Sequence, residues 1–295
     1  MVETSTSLSP HQPIFTQHYF QVGALSLFAR RYGERGGQPV IALHGWMDNC
    51  ASFEQLAEKL KGCDLLCLDC AGHGLSDHRP HLGAYNIWQD VAEVFAVADQ
   101  LGWQQFTLLG HSRGAICSFL AAGTLPERIT KLVLIEGFYP PVSTEDTCAE
   151  NLSAAVMSLL ATEGRKKRYY SDFQGAVVAR MQGFVPVCDA DARALANHGT
   201  VASENGYYWR NDHRLSVGSE VRLTLAQVRS FQKRITAKTL VIIANQGLLT
   251  ANPKLIAAIE AFDLATVRYL DGDHHLHMHG SAEHVARYIQ NFLSD

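Results

Sequence analysis

Ser112 stands in the pentapeptide Gly110-His-Ser-Arg-Gly114, and its surroundings turn a common residue into a candidate nucleophile. Phe106-Thr-Leu-Leu109 before it reads as a short buried strand, and Ala115 to Gly123 after it, rich in small residues, reads as the start of a helix. A strand-to-helix turn this tight strains the serine backbone and presents Oγ at the top of a sheet. Gly110 and Gly114 suit the turn because a Cβ at either position would collide across it. A serine nucleophile needs a general base, a carboxylate to orient that base, and donors for the oxyanion that forms. Candidates stand nearby in type if not in sequence. Gly272-Asp-His-His-Leu-His-Met-His279 puts four histidines in one loop, while His44-Gly45-Trp46 and Glu136-Gly137 each close an apolar run.

Two other clusters invite chemistry and are set aside. The four-histidine loop could suggest a metal, but its spacings fall within one loop and no Cys or carboxylate set completes it, so no metal is expected. Cys63-x3-Cys67-x2-Cys70 has the spacing of a radical-type iron–sulfur site. Cys67, however, sits mid-strand among apolar residues, and strand alternation turns neighbouring side chains to opposite faces, so core thiols are expected.

The elements that must position these residues alternate. Strands are read at Ala24 to Ala29, Pro39 to Leu43, Asp64 to Asp69, Phe106 to Leu109 and Lys131 to Ile135, and again at Thr239 to Ala244 and Thr266 to Leu270. Phe53 to Leu60 is amphipathic, and Tyr85 to Gly102 carries apolar residues at helical spacing. Further helices are read around Pro253 to Ala261 and at Ser281 to Leu293. This alternation implies an α/β, doubly wound, mostly parallel sheet. From Phe138 to about Lys233 the rhythm stops: Pro140-Pro141 breaks it, and helical pieces follow at Glu145 to Thr162, Asp172 to Gln182 and Asp189 to His198. We read a core of residues 1–137 and 234–295 with an inserted helical cap, 138–233, over the sheet's C-terminal edge. Arg165-Lys-Lys-Arg168 within it reads as a solvated helix end or turn.

The elbow, His44-Gly45, the turn Asp69-Cys-Ala-Gly-His-Gly-Leu-Ser76 and Gly272-Asp-His274 occur in an order that resembles the α/β-hydrolases. The closer resemblance is to the serine hydrolase-like proteins. It is carried by His44-Gly-Trp-Met-Asp48-Asn49 with Ser52-Phe53, by Gly72-His-Gly-Leu-Ser76, and by Asn211-Asp-His-Arg-Leu215. The likeness runs from about Pro13 to Leu293 and is thin across the cap.

This resemblance implies a chain order of nucleophile, acid and base. Ser112 is then the nucleophile and His274 the base, with His277 as runner-up. The backbone N–H groups of Trp46 and Arg113 are the expected oxyanion donors. The acid commonly follows the strand read here as Leu240 to Ala244, but Asn245-Gln-Gly-Leu-Leu-Thr250 holds no carboxylate. Some relatives carry it one strand earlier, which selects Glu136, although Asp is more usual there. Asp271 and Asp273 compete, but they share the histidine's own loop. Asp69, Gly72 and Gly74 read as structural. The Arg113 side chain is left between a structural ion pair and a substrate anion. His44, Trp46, Phe138 and Tyr139 are candidates for the lining of a substrate pocket, those of the last three to be apolar.

The resemblance implies a cofactor-free hydrolase of unsettled substrate; the leading reading is hydrolysis of a carboxylic ester or thioester through an acyl-Ser112 intermediate. A carbon–carbon bond hydrolase and an acyltransferase share the same triad. A non-catalytic ligand receptor on the same scaffold is the alternative from another class, favoured only by the missing acid after the Leu240 strand. The 295 residues, 47% hydrophobic, can bury a large core. A net charge of −4 gives no reason to expect nucleic acid or an anionic membrane, leaving a small-molecule substrate as partner and oligomeric state open. The segment Met1 to Gln12 is polar and reads as a loose lead-in without a secretory signal, and seven cysteines, an odd number, fit reduced thiols in a cytoplasm.

Overall fold

Apolar runs bounded by turn residues become the strands of one sheet, and the amphipathic stretches between them become the helices that cover it. The computed structural model describes residues 15–80, 82–278 and 280–295. The lead-in at 1–12 and His279 thus lie outside the described residues.

In chain order the elements are β1 (Thr16–Val22), β2 (Leu25–Gly33), β3 (Gln38–Leu43), α1 (Glu54–Ala57), β4 (Cys63–Leu68), α2 (Ile87–Gln100), β5 (Phe106–His111), α3 (Arg113–Thr124) and β6 (Ile129–Ile135). There follow α4 (Cys148–Leu160), α5 (Phe173–Met181), α6 (Asp189–Gly199), β7 (Thr200–Ser203), β8 (Gly206–Trp209) and α7 (Leu225–Gln232). The chain closes with β9 (Lys238–Gln246), α8 (Pro253–Glu260), β10 (Ala265–Asp273) and α9 (Ala282–Ser294).

The sheet has eight strands in the order β1-β2-β4-β3-β5-β6-β9-β10. Only β2 pairs antiparallel, with β1 and β4; the others run parallel. Every residue of β4 and β5 is buried, as expected for strands covered on both faces. One apolar core joins the sheet to α2, α3, α7 and α8 through residues such as Val94, Phe119, Val228 and Ile259. The other joins the opposite face to α1 and α9 through Leu56, Val285 and Ile289. Cys67 belongs to the second core and Cys70 to the first, so the cysteine run is divided between the two sides of the sheet. From β3 the chain steps to β4 on one side and later to β5 on the other. Strand order therefore reverses between β3 and β5, where open α/β sheets have a crevice for ligands.

Between β6 and β9 no residue joins this sheet. The helices α5 and α6 close a small core of Val177, Val187, Ala192 and Ala196, with Trp209 of β8 packed against it. The β7–β8 hairpin was not anticipated from sequence; it is a four-residue pairing, too short to stand out from its helical surroundings. Two parts of the span 138–233 pack with the core instead. Phe138 is fully buried in the first apolar core, and α7 lies so close to α3 that a Cβ on Gly123 would sit 2.6 Å from Phe231 O. Among the described residues no helix is long and apolar enough to cross a membrane.

Candidate active site

Ser112 lies at the turn between β5 and α3 with φ 52° and ψ −115°, a conformation that L residues rarely adopt. Its N–H donates to Ile135 O of β6 at 2.9 Å, and its carbonyl accepts from Ile116 N–H, so both neighbours hold the strained residue in place. The glycines permit this close approach. A Cβ on Gly114 would lie 1.9 Å from Leu43 O of β3, and one on Gly110 would lie 2.4 Å from Gly114 O. Without those side chains, α3 starts directly against the ends of two strands.

His274 follows β10 and is buried; its Nδ1 lies 3.0 Å from Glu136 Oε2. Glu136 ends β6, again with positive φ, 51°, and its side chain is fully enclosed. The carboxylate reaches across to β9. Oε1 accepts from Ala244 N–H at 2.8 Å, while Oε2 accepts from Leu248 N–H at 2.8 Å and from Leu249 N–H at 3.4 Å. It sits where a side chain on Gly247 would be: a Cβ there would fall 2.2 Å from Oε2. The position after β9 thus lacks a carboxylate of its own and is filled by one from the neighbouring strand. Asp271 does not compete: its Oδ1 accepts from the Asn245 amide at 2.6 Å. Asp273 instead accepts the His275 N–H at 2.8 Å.

Trp46 and Arg113 carry the expected oxyanion donors. Trp46 follows β3 in a turn closed by Asp48 N–H to Gly45 O at 3.2 Å, with Met47 at φ 63°. Arg113 is the first residue of α3, where backbone N–H groups have no intrahelical acceptor. Among the described residues neither N–H is taken up by another group. The Arg113 side chain turns away and pairs with Asp90 at 2.5 Å in a buried group with Arg79 and Glu93.

A cavity of about 410 Å³ opens above Ser112 and His274, walled largely by Trp46, Met47, Phe184, Val185, Trp209 and Leu248. Three residues expected in its lining are elsewhere. His44 is buried as a latch: Nδ1 donates to Gly45 O at 2.7 Å and Nε2 accepts from Cys70 N–H at 3.1 Å, with burial pushing the imidazole pKa down. Phe138 is fully enclosed against Phe119 and Phe262, and Tyr139 packs beside it on the same core. The physical reason is the direction of the chain after β6, which runs down into the helical layer before the cap begins. The cap side of the cavity comes from Tyr170 to Trp209, where no local sequence signal pointed, and from Asn211, which stood in the motif that carried the resemblance.

His277, the runner-up base, does not line the cavity. It is fully buried, its ring tilted against that of His111 at 4.1 Å between centroids and packed against Phe53. His275 lines it, within a polar group that sequence reading missed. Arg180 of α5 donates to Asp48 Oδ1 at 2.7 Å, and His275 Nε2 lies 3.2 Å from both Asp48 Oδ2 and Arg180 Nη2. Burial would raise the Asp48 carboxyl, but Arg180 first and His275 next hold it well below the usual range. Asp48 stood in the motif that carried the resemblance; Arg180 had no such marker. Among the described residues, two buried sets offer three possible metal ligands each, Asp48–His111–His275 and Cys50–Asp69–His198. Each is already organised around a cation, Arg180 in the first and Arg30 in the second.

The Asp69 turn is a brace. Asp69 accepts from Cys50 N–H at 2.7 Å and Leu75 N–H at 2.8 Å, and a Cβ on Gly74 would overlap its carboxylate.

This sheet is that of the α/β-hydrolases. The alpha/beta hydrolase fold family matches residues 38–281, and the chain belongs to it. A probable serine hydrolase of Drosophila melanogaster is 31% identical over 281 residues, 90% of this chain and 84% of the relative. A serine hydrolase-like protein of Danio rerio is 26% identical across 89% of this chain and 83% of its own length. Among solved structures, a hypothetical protein from Pseudomonas aeruginosa PAO1 superposes with a TM-score of 0.91 at 39% identity, covering 95% of this chain and 99% of that one.

Proposed function

We propose that the protein is a serine hydrolase that cleaves a carboxylic ester or thioester through an acyl-Ser112 intermediate. The observation that carries this reading is the pairing of a strained serine with a carboxylate-anchored histidine on one largely apolar cavity. With Nδ1–H donated to Glu136, His274 presents Nε2 as the base. It takes the Ser112 proton as Oγ attacks the acyl carbon, and the oxyanion is held by the N–H groups of Trp46 and Arg113. The imidazolium then protonates the leaving oxygen or sulfur as its bond to the acyl carbon breaks. Water, deprotonated by the same histidine, cleaves the acyl-enzyme to release a carboxylic acid and restore Ser112. The carboxylate of Glu136, seated at the Gly247 position, supports catalysis over a receptor, because it stands where the sequence after β9 lacks an acid.

A fluorophosphonate probe tests the reading, together with an ester panel of graded chain length. Labelling should be lost in Ser112→Ala along with turnover. A wild-type protein that stays unlabelled and cleaves none of the panel would sink the proposal.

A further inference from the structure

A second hollow of about 730 Å³ adjoins the Ser112 cavity, and Met47, Tyr170, Trp209 and Asn211 line both. Its walls differ in character from those of the first. Five cationic side chains, Arg165, Lys166, Lys167, Arg168 and Arg214, face it with two carboxylates, Glu163 and Asp212. Asp212 is already engaged by Arg214 at 2.5 Å and by the Tyr85 hydroxyl at 2.7 Å. The run 165–168 is exposed, and among the described residues none of its four charges is in an ion pair. Lys167 and Arg168 lie instead over the rings of Tyr208 and Tyr170, at 4.2 and 5.1 Å. In a chain of net charge −4 this is a local reversal of sign, at the rim of the candidate active site.

We propose that the substrate is an acyl thioester or ester whose leaving group bears phosphate. The acyl chain lies over Ser112, and the phosphates lie against Arg165, Lys166, Lys167 and Arg168. This rests on the hydrolase reading and narrows it. Uncompensated cations on an open wall suit an anion that must also leave, because exposed charge pairs are weak and exchange readily. The hollow is large enough for a group of nucleotide size, and Tyr170 and Trp209 offer aromatic faces at the junction. Cleavage of the acyl–sulfur bond at Ser112, with the His274 proton passing to sulfur, would release the phosphate-bearing thiol directly into this hollow. The run first read as a solvated turn thereby gains a ligand.

The test has a binding arm and a kinetic arm. Coenzyme A and 4′-phosphopantetheine are titrated calorimetrically into the protein and into the variant Arg165→Ala/Lys166→Ala/Lys167→Ala/Arg168→Ala. Hydrolysis of hexanoyl-coenzyme A is then compared with that of hexanoyl-N-acetylcysteamine, which has no phosphate. We expect saturable coenzyme A binding that weakens about tenfold in the variant, as four exposed charges together would give. The ratio of kcat/KM for the two thioesters should fall by a similar factor, through KM. That ratio is insensitive to any loss of folded protein. Raising salt from about 50 to about 300 mM should lower it in the wild type. Tighter binding of coenzyme A than of 4′-phosphopantetheine would identify a nucleotide-bearing thiol, and equal binding a single phosphate. Absence of saturable binding, or binding unchanged in the variant, overturns the proposal. So does binding to phosphatidylserine vesicles without binding to coenzyme A. If neither thioester is cleaved and Ser112 stays unlabelled by fluorophosphonate, the hydrolase reading fails by itself, while the binding arm still decides what the hollow takes.

Discussion

Two buried carboxylate–histidine pairs sit in different regions of the molecule and have nearly the same anatomy. Glu136–His274 spans 3.0 Å beside the cavity, and Asp69–His198 spans 2.6 Å where α6 meets the core. The difference lies at the far side of each ring. In His198 both nitrogens are used: Arg30 donates to Nδ1 at 3.1 Å, so Nε2 carries the proton that it donates to Asp69, with Cys50 Sγ 3.4 Å away. That ring is a rivet between cap and core. Among the described residues the His274 ring is tied at Nδ1 alone, and it shares a cavity with a strained serine. A carboxylate and a histidine in contact therefore say little about chemistry until the unused nitrogen is located.

The largest effects should come from breaking the open pair. Ser112→Ala and His274→Ala should each lower kcat on a short-chain ester by on the order of 10⁴ or more, since triad members act as a unit. His198→Ala should keep kcat, per folded molecule, within about threefold, having no contact with reacting atoms. Equal losses at His198 and His274 would erase the distinction.

Next is the anchoring carboxylate. Glu136→Gln should cost at least about a hundredfold in kcat, because an amide can offer the histidine the wrong partner. Gly247→Ala should lower kcat in the same direction, since its methyl would occupy the space of the Glu136 carboxylate. A wild-type rate of fluorophosphonate labelling in both variants would show that Glu136 does not orient the base.

Stability should separate the two regions with opposite signs. His198→Ala removes a buried hydrogen bond to a charged group and should destabilise by about 2 kcal/mol. Ser112→Gly relieves a conformation strained for an L residue and should stabilise by about 1 kcal/mol. Denaturant midpoints read both, and a destabilised Ser112→Gly would mean that the elbow is not strained.

A smaller effect sharpens the picture behind the elbow. Burial, then the neighbouring Asp90, pushes Glu93 up to about 7 although Arg79 lies 2.7 Å away. Its folded pKa exceeds its ordinary value of 4.5, so the folded state holds the proton more tightly between those pH values. Stability from this group is present at low pH and declines as pH rises through about 7. Melting curves across that range should flatten in Glu93→Gln relative to wild type.

The parts legible in sequence were those encoded locally. Apolar runs gave the parallel strands, paired glycines gave the elbow at Ser112, and position after the last strand separated His274 from its neighbours. Strand β1 was missed, since Thr16–Val22 alternates on a sheet edge with polar side chains that weaken its signal. The pocket was misread because its cap wall is assembled from Tyr170, Arg180, Phe184 and Trp209, brought together only by packing of α5 against β8. No pattern along the chain marks that meeting. Phe138 and Tyr139 were drawn to the pocket by nearness to Glu136 in sequence, yet the chain carries them into the core instead.

The seating of Glu136 has a consequence for how this enzyme can vary. Among the described residues its carboxylate grips the end of β9 and the turn after it through the main-chain N–H groups of Ala244, Leu248 and Leu249, so the side chains of that stretch are not read by the acid. Leu248 faces the cavity from this same segment. On the proposed function, the tether of His274 and the wall that would meet an acyl chain thus occupy one stretch of backbone without sharing a side chain. A change at Leu248 would then alter the cavity wall while leaving the contacts of Glu136 with the main chain and His274 as they are.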